Sequence, residues 1–232
     1  MTALIEENLS KIMAYRLPGL PGGEDLVMPY YEGLSLVNLP GSITRLMSVP
    51  DFGKPPLAQS ILDALGGPYK NVILLLVDAL GYDLFESVLD PSHQMVWGKY
   101  CDRAVYAPIT SICPSTTASA LTTLWTGEPA GVHGIIGYEM WSKEYGMVMN
   151  NILHTAASAR RDVGGLSRSG FEPQEFMRTP VLGTHLWEHG VKSTAYIHSS
   201  IANSGLSNMQ LTDVDVDPYV DCLLYTSDAA DE

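Results

Sequence analysis

Two short segments of this 232-residue sequence carry residue types that could do chemistry where they stand. Asp78 follows the apolar run Asn71-Val-Ile-Leu-Leu-Leu-Val77, and Pro114-Ser115-Thr116-Thr117 opens a stretch with helical character. In open α/β sheets ligands bind beyond the carboxyl ends of the strands, so a carboxylate ending the most hydrophobic run suits metal or phosphate chemistry. The same aspartate suits capping of the next helix, and from this run alone the two readings are even. Hydroxyls at a helix start meet unsatisfied N–H groups and the positive end of the helix dipole, which favour an incoming phosphate. An alcohol there can attack phosphorus if its alkoxide is made cheaper, and direct metal coordination is one means. Asp78 could hold that metal. Ser115 or Thr116 as the helix cap is the ordinary use of such hydroxyls, and capping and catalysis can be divided among the three.

These residues need elements to position them. The run 71–77 has the length and continuous apolarity of a strand buried on both faces, and a short amphipathic helix is expected after it, to Leu89. Residues 114–127 are expected to form a capped helix with Ala118, Leu121, Thr122 and Trp125 on one face. Ala104 to Ala107 reads as a second short strand. Leu57, Ile61, Leu62 and Leu65 have helical spacing ending at Gly66-Gly67. A helix around Val181 to His189 and a strand at Ser193 to His198 complete the pattern. Residues 1–56, rich in Pro and Gly, read as an arm with a helix near Ser42 to Met47. Strands alternating with helices, without internal repeats, predict an α/β sheet with helices on both sides.

The 46% hydrophobic content is that of a globular protein, and disorder is not the default. The net charge of −13 and the lack of a basic run exclude a nucleic-acid scaffold. A small anionic substrate is not excluded, because a bound divalent metal reverses the local field in a carboxylate-lined site. The run 72–77 is too short to span a bilayer and the acidic start is unlike a signal peptide, so no membrane association and a cytoplasmic location are expected. Cys101, Cys113 and Cys222 have no metal-ligand spacing and are expected to be buried thiols.

In order along the chain, Val77-Asp78-Ala79-Leu80-Gly81, Pro114-Ser115-Thr116-Thr117, Thr126-Gly127 and Val132-His133-Gly134-Ile135-Ile136 resemble the alkaline phosphatase superfamily, most closely its nucleotide pyrophosphatase/phosphodiesterase-like branch. The resemblance covers roughly residues 25–210. It implies an α/β fold of the alkaline-phosphatase-like kind, a three-layer α/β/α sandwich around a central, mostly parallel sheet, incomplete at the C-terminus. It further implies a metal-dependent hydrolysis of a phosphodiester or nucleotide pyrophosphate. Thr117 would be the nucleophile, forming a phosphothreonine, with Asp78 and Thr117 on one metal of a pair of divalent ions, usually zinc. His133 matches a position expected to be a hydrogen-bonding anchor. The chain departs from the branch in Ala118-Ser119-Ala120-Leu121 after the nucleophile, and in Tyr138, which falls where an Asn would hold a phosphate oxygen; its phenol is the expected substitute donor. The expected partner is a small phosphate-ester or nucleotide substrate.

The remaining metal ligands are expected further along the chain. Asp213-Val-Asp215-Val-Asp217 lacks the Gly and closing Glu of a calcium loop and reads as a solvated acidic loop. His154, His185, His189 and His198 have no paired acidic spacing and read as core or surface histidines.

Residues 222–232 resemble a translated sequencing-library adapter, and without them the acidic residues fall to 23 and the charge to −10. The expected organisation is an N-terminal arm with helices at 1–66, the first part of a catalytic domain at 67–221, and a non-native tail at 222–232. A native chain running on past Asp221 is expected, and the polypeptide as given is expected to be inactive although its parent is an enzyme. A metal-dependent phosphomutase or phosphomonoesterase of the same superfamily, and a non-catalytic ligand-binding relative, are the alternative readings. Serine hydrolase, Walker A and dinucleotide-binding patterns are absent.

Overall fold

The computed structural model describes residues 2–19, 26–89, 97, 103–162 and 164–220. The expected tail at 222–232, Cys101 and Cys222 lie outside them. The chain forms two compact units, Met1–Ser111 and Ile112–Glu232.

The first unit is helical. Helix α1 (Thr2–Ala14) lies in the arm, where no helix was expected so early; Ile12 on its inner face is 4% exposed. A 3-10 turn at Leu36–Asn38 runs into α2 (Leu39–Leu46), with Pro40 in the first turn, where its missing N–H costs nothing. Helix α3 (Gln59–Leu65) ends as its spacing predicts, at Gly66 with φ +75°. Ile12, Leu34, Leu57, Ile61 and Leu62 form the core. Asn38, fully buried, holds the loops around it: its Nδ2 donates to the carbonyls of Tyr31 and Pro55, and its Oδ1 accepts from Ser35 N–H. Three satisfied bonds remove the penalty of burying the amide. Helix α4 (Tyr82–Val88) packs Phe85 and Tyr82 on Tyr106, whose hydroxyl donates to Glu86.

Two expectations in this unit are corrected. Residues 71–77 form no strand, and the run lies open to solvent, with Ile73 93% and Leu75 67% exposed. Its pattern states a preference for a buried ladder, but among the described residues of this unit no strand lies beside it. The second short strand expected at 104–107 is also absent. Pairing occurs three residues later, where Thr110 bridges Ser35 and exchanges backbone bonds with Leu34 and Leu36.

The second unit mixes helices and small sheets, consistent with an α/β fold. Helix α5 (Thr117–Thr126) is followed by the short α6 (Ala130–His133) and an antiparallel sheet of β1 (Glu139–Ser142), β2 (Met147–Asn150) and β3 (Thr155–Ala156). The hairpin between β1 and β2 turns at Gly146, φ +60°. Short helices α7 (Gly165–Arg168) and α8 (Pro173–Phe176) lead to α9 (Leu182–Glu188), which matches the expected helix within a residue at each end. Strand β4 (Thr194–His198), helices α10 (Ser199–Ala202) and α11 (Gly205–Gln210), and β5 (Asp215–Tyr219) form a β-α-β crossover whose strands pair in parallel. The acidic segment at 213–217 is thus solvated as expected, but from Asp215 it is a strand. Pro218 is tolerated because β5 is the edge of a two-stranded sheet, where a missing N–H loses no ladder bond. Ala118, Ile135, Met149, Leu166, Phe171, Met177, Val181, Leu206 and Met209 make the core.

Among the described residues no helix is long and apolar enough to cross a membrane. Cys113 is exposed, contrary to the buried thiol expected: it lies in the turn before α5, with its side chain off the core-facing positions.

Candidate active site

Helix α5 begins and ends for reasons visible in its sequence. Thr116 stands at the N-cap in extended conformation, φ −88° and ψ 149°, and its Oγ1 accepts Ser119 N–H at 3.4 Å. Gly127 closes the helix in the left-handed region at φ +65°. The division of labour among the hydroxyls is therefore settled for one of them: Thr116 caps. Thr117 is the first helical residue and is exposed, at the dipole's positive end.

The buried stripe of α5 differs from the expected one. Ser119, Thr122, Thr123 and Thr126 are the deeply buried positions beside Ala118 and Leu124, while Leu121 and Trp125 are only half-buried. Hydroxyls can line this face because each of three finds a bond. Thr122 and Thr126 donate to the carbonyls four residues earlier, Gln210 Nε2 donates to Thr122 Oγ1 at 2.7 Å, and Thr123 faces His133. Ser119 Oγ has no partner among the described residues.

His133, 4% exposed, accepts Ile135 N–H on Nδ1 at 3.1 Å, so the neutral ring carries its proton on Nε2, which donates to Thr123 Oγ1 at 3.1 Å. Burial pushes its pKa from 6.5 down to about 4. His154, 3% exposed and edge-on to Phe171, is pushed down to about 4 for the same reason. His133 is the anchor expected, and His154 is a core histidine. His198 is exposed, and so is His189, which pairs its ring with His185.

These two imidazoles predict acid sensitivity. Each is neutral in the fold and takes up a proton near pH 6.5 when unfolded, so between pH 6.5 and 4 the unfolded state binds more protons. Stability therefore falls as pH falls through that window, by up to about 3 kcal/mol per histidine. Urea midpoints of the second unit at pH 7 and pH 4.5 check this; an unchanged midpoint would refute it.

The loop between α6 and β1 is held at consecutive positions. Thr116 Oγ1 donates to the Ile136 carbonyl at 3.3 Å, Asn151 Nδ2 donates to the Gly137 carbonyl at 2.8 Å, and Asn151 N–H donates to the Tyr138 carbonyl at 2.9 Å. Tyr138 is 46% exposed. The loop bearing the expected phosphate-oxygen donor is thus tied directly to the cap of the helix bearing the expected nucleophile. Asn151 was not foreseen; the short apolar run Met147-Val-Met149 ended by two asparagines is its signal in the sequence.

Asp78 is carried by the first unit, Thr117 and Tyr138 by the second. Asp78 is exposed in a tight turn, its Oδ1 accepting Ala79 N–H at 2.8 Å, with Ala79 in the left-handed region at φ +61°. The cap of α4 is Gly81, so the capping alternative for Asp78 is not what the fold uses. Among the described residues no three His, Cys, Asp or Glu side chains gather closely enough to hold a metal ion.

Residues 72–219 match the model of the family described as type I phosphodiesterase / nucleotide pyrophosphatase. Comparisons with curated proteins and with solved structures gave no match.

Proposed function

Since this chain belongs to the type I phosphodiesterase/nucleotide pyrophosphatase family of the alkaline phosphatase superfamily, we propose that its parent protein hydrolyses a phosphodiester or nucleotide pyrophosphate through a phosphothreonine at Thr117. Family membership supports phosphate-ester hydrolysis in general. The observation that carries the finer reading is the placement of Thr117: the cap role falls to Thr116, and Thr117 stands exposed at the electropositive end of a ten-residue helix.

In this reading Thr117 Oγ1 forms a bond to phosphorus as the opposite P–O bond breaks, and the proton it gives up passes through solvent to the leaving oxygen, which departs as an alcohol or phosphate. Water then attacks the phosphothreonine, the P–Oγ1 bond breaks, and Thr117 recovers its proton. Two inversions give net retention. Tyr138 donates a hydrogen bond from its phenol to a non-bridging oxygen, where charge builds in the transition state. Two divalent ions, zinc in the resemblance, are part of the proposal, with Asp78 and Thr117 as two ligands. The described residues supply no complete donor set, and the 232-residue chain alone is proposed to be inactive. The three-layer sandwich with a central, mostly parallel sheet is likewise proposed for the parent.

Bis(p-nitrophenyl) phosphate is the substrate for the test. The parent protein is expected to release p-nitrophenol, to stop on chelation, and to restart when zinc is restored. Turnover that continues undiminished in excess chelator would rule out the metal-dependent reading, and no turnover of any phosphate ester would favour a non-catalytic relative.

A further inference from the structure

The loop 134–138 is held from two sides, and the two holds do different things. Asn151 ties it to the sheet through the carbonyls of Gly137 and Tyr138. Its ties to α5 are the 3.3 Å bond from Thr116 to Ile136, which is exposed, and the path from Thr123 through the His133 ring to Ile135 N–H, which is buried throughout. Water competes for the first and is excluded from the second, so the buried path is the stiffer one. It is also short. Gly134 turns in the left-handed region at φ +79°, and Ile135 fills the core with no exposure, so the backbone between His133 and Ile136 has little freedom.

We propose that His133 is a positioning residue. Its imidazole locks the loop 134–138 to the nucleophile-bearing helix, and this fixes where Tyr138 stands relative to Thr117. This role rests on the hydrolase reading above; the clamp itself does not. Both ring nitrogens are used, one toward the helix and one toward the loop, which no shorter polar side chain can do at once. A carboxamide can satisfy one side: Asn places its oxygen near the Nδ1 position and keeps the Ile135 bond, whereas Gln reaches the Nε2 position and keeps the bond to Thr123.

Thr123→Val, close in shape to threonine, removes the helix-side partner and is the central variant; His133→Asn and His133→Gln accompany it. In the 232-residue chain, amide hydrogen exchange at Ile135 and Ile136 is expected to quicken about tenfold in Thr123→Val and in His133→Asn. In the parent protein, kcat for bis(p-nitrophenyl) phosphate is expected to fall about tenfold in Thr123→Val, His133→Asn and His133→Gln alike, with KM unchanged, because each breaks the path on one side. A residue that merely stabilises the fold would lower apparent kcat only in proportion to the folded fraction read by circular dichroism, whereas the loss expected here persists after that correction. Wild-type exchange at Ile135 in Thr123→Val would overturn the clamp. Faster exchange with wild-type kcat would overturn the positioning role alone. Faster exchange in a protein whose wild type has no turnover would overturn the hydrolase reading, and the positioning role with it, while leaving the clamp.

Discussion

Thr117→Ala is expected to abolish diester hydrolysis by the parent protein, with kcat falling by roughly 10^4-fold or more, the scale expected when a covalent nucleophile is removed. The substitution should leave the fold intact. Thr117 is exposed at the first position of α5, it is not the cap, and alanine is the better helix former. The urea midpoint of the variant should therefore stay within about 0.5 kcal/mol of wild type, as for surface changes away from caps and cores. Thr117→Ser should retain measurable turnover and should still trap a p-nitrophenyl phosphoryl group on the enzyme, seen as an acid-stable mass increase during turnover. Thr116→Ala should behave in the opposite way, losing about 1 kcal/mol of stability through the lost cap and far less in kcat. Full activity in Thr117→Ala would remove the basis of the mechanism; the reverse ranking of Thr116 and Thr117 would move the nucleophile by one residue.

Gly205→Ala is expected to be the most damaging single-methyl change in the second unit. A Cβ built on Gly205 lands on the ring of His154. The ring cannot step aside, because it is 3% exposed, sits edge-on to Phe171 with centroids 4.9 Å apart, and has Nδ1 at 3.2 Å from Ser167 Oγ. Backbone bonds fix both sides of the contact: Gly205 N–H donates to the Ile152 carbonyl and Leu166 N–H to the His154 carbonyl. Overpacking here should cost about 3 kcal/mol, a large share of a domain's stability. Urea denaturation of the chain reads the loss directly. Adding His154→Ala should recover part of it, since the methyl then enters the space that the ring vacates, and this opposite-sign coupling is the decisive feature. A wild-type midpoint for Gly205→Ala, or strictly additive losses in the double variant, would show that the contact is not as close as described.

Where local chemistry decides the outcome, the chain was legible. Helix α5 starts after Pro114-Ser115-Thr116 and stops at Gly127 because a hydroxyl can satisfy an orphan N–H and glycine can turn left-handed without strain. Helix α3 followed from apolar spacing, and α9 and strand β4 lay within a residue of their expected ends. The candidate site was legible to the same extent: Thr117 at a helix start, Asp78 in the turn after the apolar run, and His133 as an anchor are all statements about short segments.

Other features depended on partners far along the chain. The run 71–77 has every local mark of a buried strand and is open to solvent, because a strand requires neighbours that its own sequence cannot supply. The acidic segment 213–217, followed by Pro218, reads as a loop, and from Asp215 it is a strand because β4 offers it a parallel edge. The face of α5 expected from Ala118, Leu121, Thr122 and Trp125 is replaced by one on which Ser119, Thr123 and Thr126 join Ala118 and Thr122, because His133 and Gln210 satisfy hydroxyls there. Sequence by itself determined the family, the order of the chemistry-bearing residues and the ends of the best helices, all of which depend on near neighbours. Tertiary structure alone decided that Thr116 reaches the Ile136 carbonyl and that His133 spans from Thr123 to Ile135. It also decided that Asn151 holds the Tyr138 loop, since each of these bonds exists only once the chain has folded back on itself.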